Sequence, residues 1–367
     1  MQNSILFVIN AINDSTSPYN EHVLYRRQRN PQSIYVCHFL NPTIEVPENL
    51  PRYSGHGSVF RFVNSIRRAL QSANYKVVHI HAPVAGFIYC IYCHFFARRY
   101  LSNSVYTVHT SYQNFKLLHK AMAAIIFLSL GKIVCCSHSS AASLPGWLRF
   151  LAGNRLTVIQ NGVDLDRIDH NSITTQETSK YVEFIFVGRL EKIKHPETIL
   201  KAFATLNNNS HIKARLSFVG EGSLKQSLLR AAADYGLKDR VTFHGSVTRE
   251  KVFKLLNQSQ YFISASEVEG FPVAVLESIA CGCTPILSDI QPHTELVQSL
   301  PDSVAISTFP IGSSEILADG MEIEATTPKE KRIKQTDDLL EHVRNHFSLN
   351  AMIKEYDQVY MEIGSAD

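Results

Sequence analysis

Residues 261–288 read YFISASEVEGFPVAVLESIACGCTPILS, which is strand, loop, helix, stop and strand in order. Tyr261–Ser264 and Pro285–Ser288 are short apolar runs, the signature of strands covered on both faces. Between them Val273–Cys281 has helical apolar spacing, and Pro272 suits its first position because that position needs no backbone N–H. One strand–helix–strand unit of this type implies a parallel sheet.

The same alternation continues outward. Upstream, Phe184–Val187, Leu216–Val219 and Val241–His244 read as strands, with helices over Pro196–Asn207, Ser223–Tyr235 and Arg249–Asn257. The first half repeats the pattern, with strands over Ile5–Asn10, Ile34–Phe39, Val77–His81, Val105–Val108, Ile133–Ser137 and Leu156–Ile159. Its helices are read over Ser58–Gln71 and Asn114–Leu130. The polar, aperiodic stretch Asp166–Lys180 separates the two series as a linker. The expected class is therefore α/β: two Rossmann-like, doubly wound domains facing a cleft, over residues 1–165 and 166–345.

Composition fits that class. The 367 residues are 45% hydrophobic and 19% charged, as in globular proteins and unlike disordered chains. The opening SILFVINAI has no basic flank or cleavage site and reads as a first buried strand. The longest apolar stretches, Pro83–Phe96 and Ala121–Leu130, fall short of the ~20 residues of a spanning helix. The seven cysteines lie among apolar residues and read as small buried thiols in a reducing compartment. The net charge of +3 hides an asymmetry, since residues 1–165 hold 15 Lys/Arg against 5 Asp/Glu. That half is expected to meet an anionic surface or substrate.

Three features carry chemistry. Gly188-Arg189-Leu190 follows a strand, with Lys194 on the rise to the next helix. Fixed cations of this kind suit a nucleoside diphosphate leaving group, whose charge builds as its bond breaks. Glu269-Gly270-Phe271-Pro272 precedes the helix start Val273-Ala274, where exposed amides make an anion site. Gly270 admits close approach to the backbone, and Glu277, one to two turns on, offers a carboxylate to a ribose diol. Cys281–Pro285 only ends the helix.

Together these residues resemble the retaining glycosyltransferases of the GT-B fold (group 1, or family four). The family's Gly-Arg-Leu, three residues, Lys pattern is met by Gly188, Arg189, Leu190 and Lys194, with His195 where a glycine usually follows. Its paired glutamates are met by Glu269 and Glu277 within EGFPVAVLESIACG. Further similar segments are VHIHAP at Val78–Pro83, VHTSY at Val108–Tyr112, CSHSSAASL at Cys136–Leu144, VIQNGVD at Val158–Asp164 and the terminal Phe347–Tyr360. The first loop departs from the pattern, because Asn13–Tyr19 contains no glycine, whereas Glu21-His22-Val23 matches the helix after it.

The resemblance implies that Arg189 and Lys194 bind the diphosphate, Glu269 the transferred sugar and Glu277 the ribose. The backbone of Gly270, Phe271, Pro272, Val273 and Ala274 would hold the sugar and β-phosphate, and His109 would sit near the transferred sugar. It also implies that residues 346–367 form a helix crossing back to the N-terminal domain. The implied reaction is metal-independent, retaining transfer of a hexose-type sugar from a nucleotide sugar, UDP before other bases, with no cofactor. The implied acceptor is a glycan or lipid-linked saccharide in surface polysaccharide synthesis, with no nucleic acid partner. The setting is cytoplasmic, peripheral on the inner membrane face, through the basic first domain. Rivals are a non-catalytic nucleotide-sugar binder and a phosphorylase or epimerase of the same fold.

Other motifs read as structural. Cys90-Ile-Tyr-Cys93-His94 matches a c-type haem pattern by chance, on an apolar helix. His79 and His81 have no partner at metal-ligand spacing and read as satisfied strand histidines. Gly220-Glu-Gly222 begins like a dinucleotide fingerprint, but Lys225 stands in place of the third glycine, so it reads as a tight turn. Ser58–Gln71, with Arg61, Arg67 and Arg68 beside Phe60 and Phe62, reads as a basic amphipathic helix able to lie on an anionic membrane.

Overall fold

Apolar five-residue runs such as ILFVI can be buried only if helices cover both sides of their sheet, and the computed structural model shows this arrangement. It describes residues 4–13, 18–30, 33–169, 180–209 and 211–364. Residues 1–161 and 349–367 form one unit and residues 162–348 the other.

The first unit is a parallel sheet of β1 (Ile5–Ile9), β2 (Ile34–His38), β3 (Arg52–Ser54), β4 (Val77–Ile80), β5 (Ser104–Val108), β6 (Lys132–Cys135) and β7 (Leu156–Val158). Their order is β3-β2-β1-β4-β5-β6-β7. A π-helical turn, Pro18–Leu24, leads into α1 (Tyr25–Arg29). Then come α2 (Val59–Ser72), α3 (Pro83–Phe96), α4 (Arg99–Ser102), α5 (Leu117–Ser129), α6 (His138–Ser143) and α7 (Gly146–Ala152).

Strand alternation sorts the core into two layers. Leu6, Val8, Val78, Ile80, Tyr106 and Ile133 pack under α2, α3, α5 and α7. Ile5, Phe7, Val36, Val77, Val105 and Val134 pack under the π-turn, α1 and the C-terminal helix Leu349–Gly364. That helix supplies Met352, Ile353, Tyr356 and Tyr360 to the second layer.

The second unit begins with α8 (Leu165–Asp169) and holds β8 (Val182–Val187), β9 (Ala214–Val219), β10 (Val241–Gly245), β11 (Tyr261–Ser264), β12 (Thr284–Ser288) and β13 (Ser307–Phe309). Its parallel order is β10-β9-β8-β11-β12-β13. Its further helices are α9 (Pro196–Asn209), α10 (Lys225–Asp234), α11 (Arg249–Asn257), α12 (Val273–Ala280), α13 (Gln291–Ser299), α14 (Ser314–Thr326) and α15 (Lys329–His346).

Both sheets reverse their strand order beside their first strand. The reversals lie between β1 and β4 and between β8 and β11, and each opens a crevice at the strands' carboxyl ends.

The differences from the sequence reading are local. The edge strands β3 and β13 are three residues long and partly polar, RYS and STF, so no apolar run marks them. The helix expected from Asn114 starts at Leu117, after a 3-10 turn at Tyr112–Asn114. The helix Leu165–Asp169 runs into the expected linker Asp166–Lys180, and residues 170–179 lie outside the described residues. Residues 14–17 of the glycine-free first loop lie outside them too.

Candidate functional site

The crevice of the second unit receives the loops after β8 and β11, which carry most of the expected site residues. Gly188 directly follows β8, and its amide donates to the Val219 carbonyl at 2.9 Å. The turn Gly220-Glu221-Gly222 lies directly on this loop. A Cβ on Gly220 would meet the Gly188 carbonyl oxygen at 2.0 Å, and one on Gly222 the Leu190 oxygen at 2.3 Å. Those two glycines are therefore demanded by packing against the β8 loop.

Arg189 is exposed, whereas Lys194 is largely buried and ion-paired with Glu269 from the β11 loop. The Ser266 hydroxyl donates to the same Glu269 oxygen at 2.7 Å. Behind it, the Ser288 hydroxyl donates to the Ser266 carbonyl at 2.7 Å, and buried His293 sits between Ser264 and Ser288. Burial holds the His293 imidazole below its usual range. Ser266 and His293 are site residues that the sequence reading missed, since nothing in their spacing links them to Glu269.

His195, where the family's glycine stands, adopts a left-handed conformation at φ 46° and ψ 45°. The turn thus keeps the geometry that favours glycine, and the imidazole lies 3.5 Å from Glu267.

At the helix start the structure corrects one expectation. Pro272 is the residue before the helix, with φ −83° and ψ 66°, and α12 begins at Val273. Those angles make an inverse γ-turn, in which the Val273 amide donates to the Phe271 carbonyl at 2.9 Å. Val273 therefore does not point a free N–H outward. Ala274 retains that capacity, since its amide has no carbonyl partner among the described residues. Phe271 is buried against Phe347 and anchors the turn.

Glu277, one further turn along α12, is buried and ion-paired with Arg249 at the start of α11. Burial raises its carboxyl above the usual range, and Arg249 and Arg167 pull it back. Arg167 in turn pairs with Glu250 at 2.9 Å. The Arg249 partnership was not legible in the sequence, because residues 249 and 277 meet only when α11 and α12 pack.

The first unit's crevice has a different character. His79 and His81 on and after β4, His109 after β5 and His22 on the π-turn form one aromatic group. His79 bonds Tyr360 Oη at 2.5 Å and Thr107 Oγ1 at 2.7 Å. His81 Nδ1 lies 2.8 Å from His109 Nε2, so one ring donates and the other accepts. Neither nitrogen of His22 has a partner among the described residues, nor does Nε2 of His81.

Burial, then the neighbouring imidazoles, pushes His22, His79 and His81 well below the usual histidine range. Burial also takes His109 down to about 4. All four are therefore neutral near pH 7. The ligand nitrogens of His22, His79 and His81 lie within 4.8 Å of one another, a third imidazole that the strand spacing alone did not reveal. Both nitrogens of His79 are already engaged by hydroxyls, so a metal there would have to displace one of them.

The remaining motifs are structural. All seven cysteines are buried and none forms a disulfide, and burial pushes Cys90 and Cys93 up to about 12, far from thiolate chemistry near neutral pH.

Comparison with known proteins places these features in context. The pattern of "Glycosyl transferases group 1" matches residues 168–321, and that of "Glycosyltransferase Family 4" matches residues 17–167. The chain is 30% identical over 204 residues to a GDP-mannose:cellobiosyl-diphosphopolyprenol alpha-mannosyltransferase of Xanthomonas oryzae, a match covering 54% of this chain and 51% of that protein. It is 26% identical over 265 residues to a UDP-Gal:alpha-D-GlcNAc-diphosphoundecaprenol alpha-1,3-galactosyltransferase of Escherichia coli, covering 68% of this chain and 67% of that one. The chain thus spans about half the length of the first of these relatives.

Among solved structures, sucrose-phosphate synthase of Thermosynechococcus elongatus aligns with a TM-score of 0.78 at 16% identity, over 99% of this chain and 100% of that one. Anabaena HepE in complex with UDP aligns at 0.76 and 17%, over 98% and 100%. At such identity the likeness establishes the fold, which is the two-domain α/β architecture of the GT-B class.

Proposed function

The chain belongs to the glycosyltransferases of group 1 and family 4, and from that premise we propose that it moves a hexose-type sugar from a nucleoside-diphosphate sugar to a hydroxyl acceptor. The observation that carries this reading is the charge arrangement at the β8/β11 crevice. Arg189 and the Lys194–Glu269 pair end two adjacent strands, with the Ala274 amide and Glu277 on the helix behind them.

In this reading Arg189 and Lys194 hold the diphosphate as its charge builds, which lowers the barrier most where water is excluded. The Gly188 and Gly270–Ala274 backbone approaches the phosphates and sugar, Glu269 accepts sugar hydroxyls, and Glu277 accepts the ribose diol through lone pairs that Arg249 leaves open. His109, held neutral, hydrogen-bonds the transferred sugar and does not act as an acid. The departing diphosphate takes the acceptor proton, and the product keeps the donor's anomeric configuration.

No divalent ion is required in this scheme. Its cations are side chains, and both site carboxylates are already paired with Lys194 and Arg249.

The names of the Xanthomonas and Escherichia relatives place their acceptors on polyprenyl diphosphates. That supports a lipid-linked acceptor here, in surface polysaccharide synthesis at the cytoplasmic face of a membrane. Uridine is the base proposed first, with guanosine as its competitor.

The test is a panel of UDP- and GDP-sugars offered with polyprenyl-diphosphate saccharides in the presence of EDTA, the product anomer being read by NMR. Transfer with retention is expected. Tight donor binding with neither transfer nor slow hydrolysis would instead make the chain a nucleotide-sugar binder. Phosphorolysis without nucleotide would make it a phosphorylase.

A further inference from the structure

Helices α3 and α5 are apolar around most of their circumference, a composition that ordinarily belongs in an interior. Here only one side of each is covered. Ala85, Tyr89 and Cys93 of α3 and Ala123, Ile126 and Phe127 of α5 face the sheet. The opposite stripes lie in solvent: Ile91 and Phe95 on α3, Leu117 and Leu128 on α5, with Phe95 76% and Leu117 86% exposed. The flanking helices extend this surface, since Phe60 on α2 is 84% exposed and Phe150 on α7 is 86% exposed. Helices α2, α3, α5 and α7 cover the same face of one sheet and pack side by side, so these residues share one outer layer. So contiguous an apolar surface marks a docking site.

Its charge identifies the partner. Residues 49–163 contain no Asp or Glu and 12 Lys/Arg. Arg61, Arg98, Arg99, Lys116 and Arg149 are exposed on or beside the same helices. The first unit's described acidic residues, Glu21, Glu45, Glu48, Glu355, Asp357 and Glu362, lie on elements that cover the other side of the sheet or pack there. A second copy of the chain is a poor occupant, because a two-fold interface would set this cation-only patch against itself. A nucleic acid would meet the cations and leave the apolar stripes exposed to water. An anionic bilayer satisfies both, with apolar side chains in the acyl boundary and cations at the headgroups. Among the described residues no helix is long and apolar enough to cross a membrane, so the contact is interfacial.

We propose that the outer face of the α2, α3, α5 and α7 layer is a membrane-insertion surface for anionic phospholipid. It deepens the reading of a membrane-facing first half from charge attraction to insertion, and it rests on the transferase reading only for its purpose.

The full chain, without nucleotide or acceptor, is mixed with vesicles of phosphatidylcholine alone or with 30% phosphatidylglycerol, about a third anionic lipid. The chain's single tryptophan, Trp147 on α7, lies partly exposed in the same layer and reports insertion. Co-sedimentation at least ~10-fold stronger with phosphatidylglycerol is expected, weakening as salt rises. A blue shift of Trp147 fluorescence and its quenching by brominated lipid should accompany it. Phe95→Ser with Leu128→Ser, and separately Arg98→Gln with Arg99→Gln, should each lower partitioning several-fold at unchanged Tm.

Absence of binding at low salt overturns the proposal. So does binding that salt abolishes while Trp147 stays unquenched and the Phe95→Ser, Leu128→Ser variant binds normally, which is adsorption by charge alone. Self-association broken by Phe95→Ser, without vesicle binding, assigns the face to a second copy and also overturns it. A chain that transfers sugar to a water-soluble acceptor but ignores vesicles loses this inference and keeps the transferase reading. One that docks and never transfers does the reverse.

Discussion

The crevices of the two sheets are built by the same strand order and filled with opposite chemistry. In the second unit charges stand in pairs, Lys194 with Glu269 on the loops at the reversal point and Arg249 with Glu277 between helices α11 and α12. In the first unit the corresponding place holds four imidazoles kept neutral by burial and by one another. Topology therefore fixes where a site can form, and side-chain burial fixes what it can do. A half-exposed crevice can keep cations ready for an anion, whereas a closed one drives its titratable groups to the uncharged state.

Acid separates the two regions most strongly. Rings that stay neutral when folded but bind a proton near pH 6.5 when unfolded leave the unfolded chain with more protons. Their contribution is complete above about pH 6.5 and is lost as pH falls below it, at about 1.4 kcal/mol per ring and pH unit. The first unit holds five such rings, His22, His38, His79, His81 and His109, and thus takes the steepest loss, while the second has His244, His293 and His342. Urea midpoints between pH 7.5 and 5.5, with hydrogen exchange to localise the loss, measure this. A flat midpoint would break the contrast.

The charged crevice is tested by Arg189→Ala and Lys194→Ala, each expected to lower kcat by ~100-fold or more if it stabilises the leaving group. Near-normal turnover in both, at unchanged Tm, removes the assignment.

Smaller effects sharpen the picture of the neutral crevice. Tyr360→Phe strips a buried His79 nitrogen of its partner and should cost roughly 1–3 kcal/mol in unfolding free energy. A cost near zero would mean that the ring finds another partner. Smallest is His195→Gly, which relieves a left-handed residue and should raise stability by up to about 1 kcal/mol with kcat unchanged. A lower Tm would show that the contact with Glu267 outweighs the strain.

Much of the fold was readable because a parallel strand covered on both faces must be apolar throughout, as ILFVI and YFIS are. The edge strands β3 and β13 escaped because an edge need not be apolar, and three residues make no pattern. The Gly188–Lys194 and Glu269–Glu277 segments were legible because each is local, one loop or one helix long. The inverse γ-turn at Pro272 was not, since proline fixes φ and leaves ψ to its surroundings.

The short-range devices follow from the chain's local pattern alone: buried strands, the glycine turns, the cations after β8 and the acid-free stretch 49–163. Which distant side chains share a charge, a proton or a surface is settled by folding. Arg249 reaches Glu277, His22 joins His79 and His81, and four helices separated along the chain present one apolar face. Those outcomes depend on packing between elements, which brings groups within a few ångströms whatever their separation in sequence. Desolvation then sets their charge, and no local pattern encodes it.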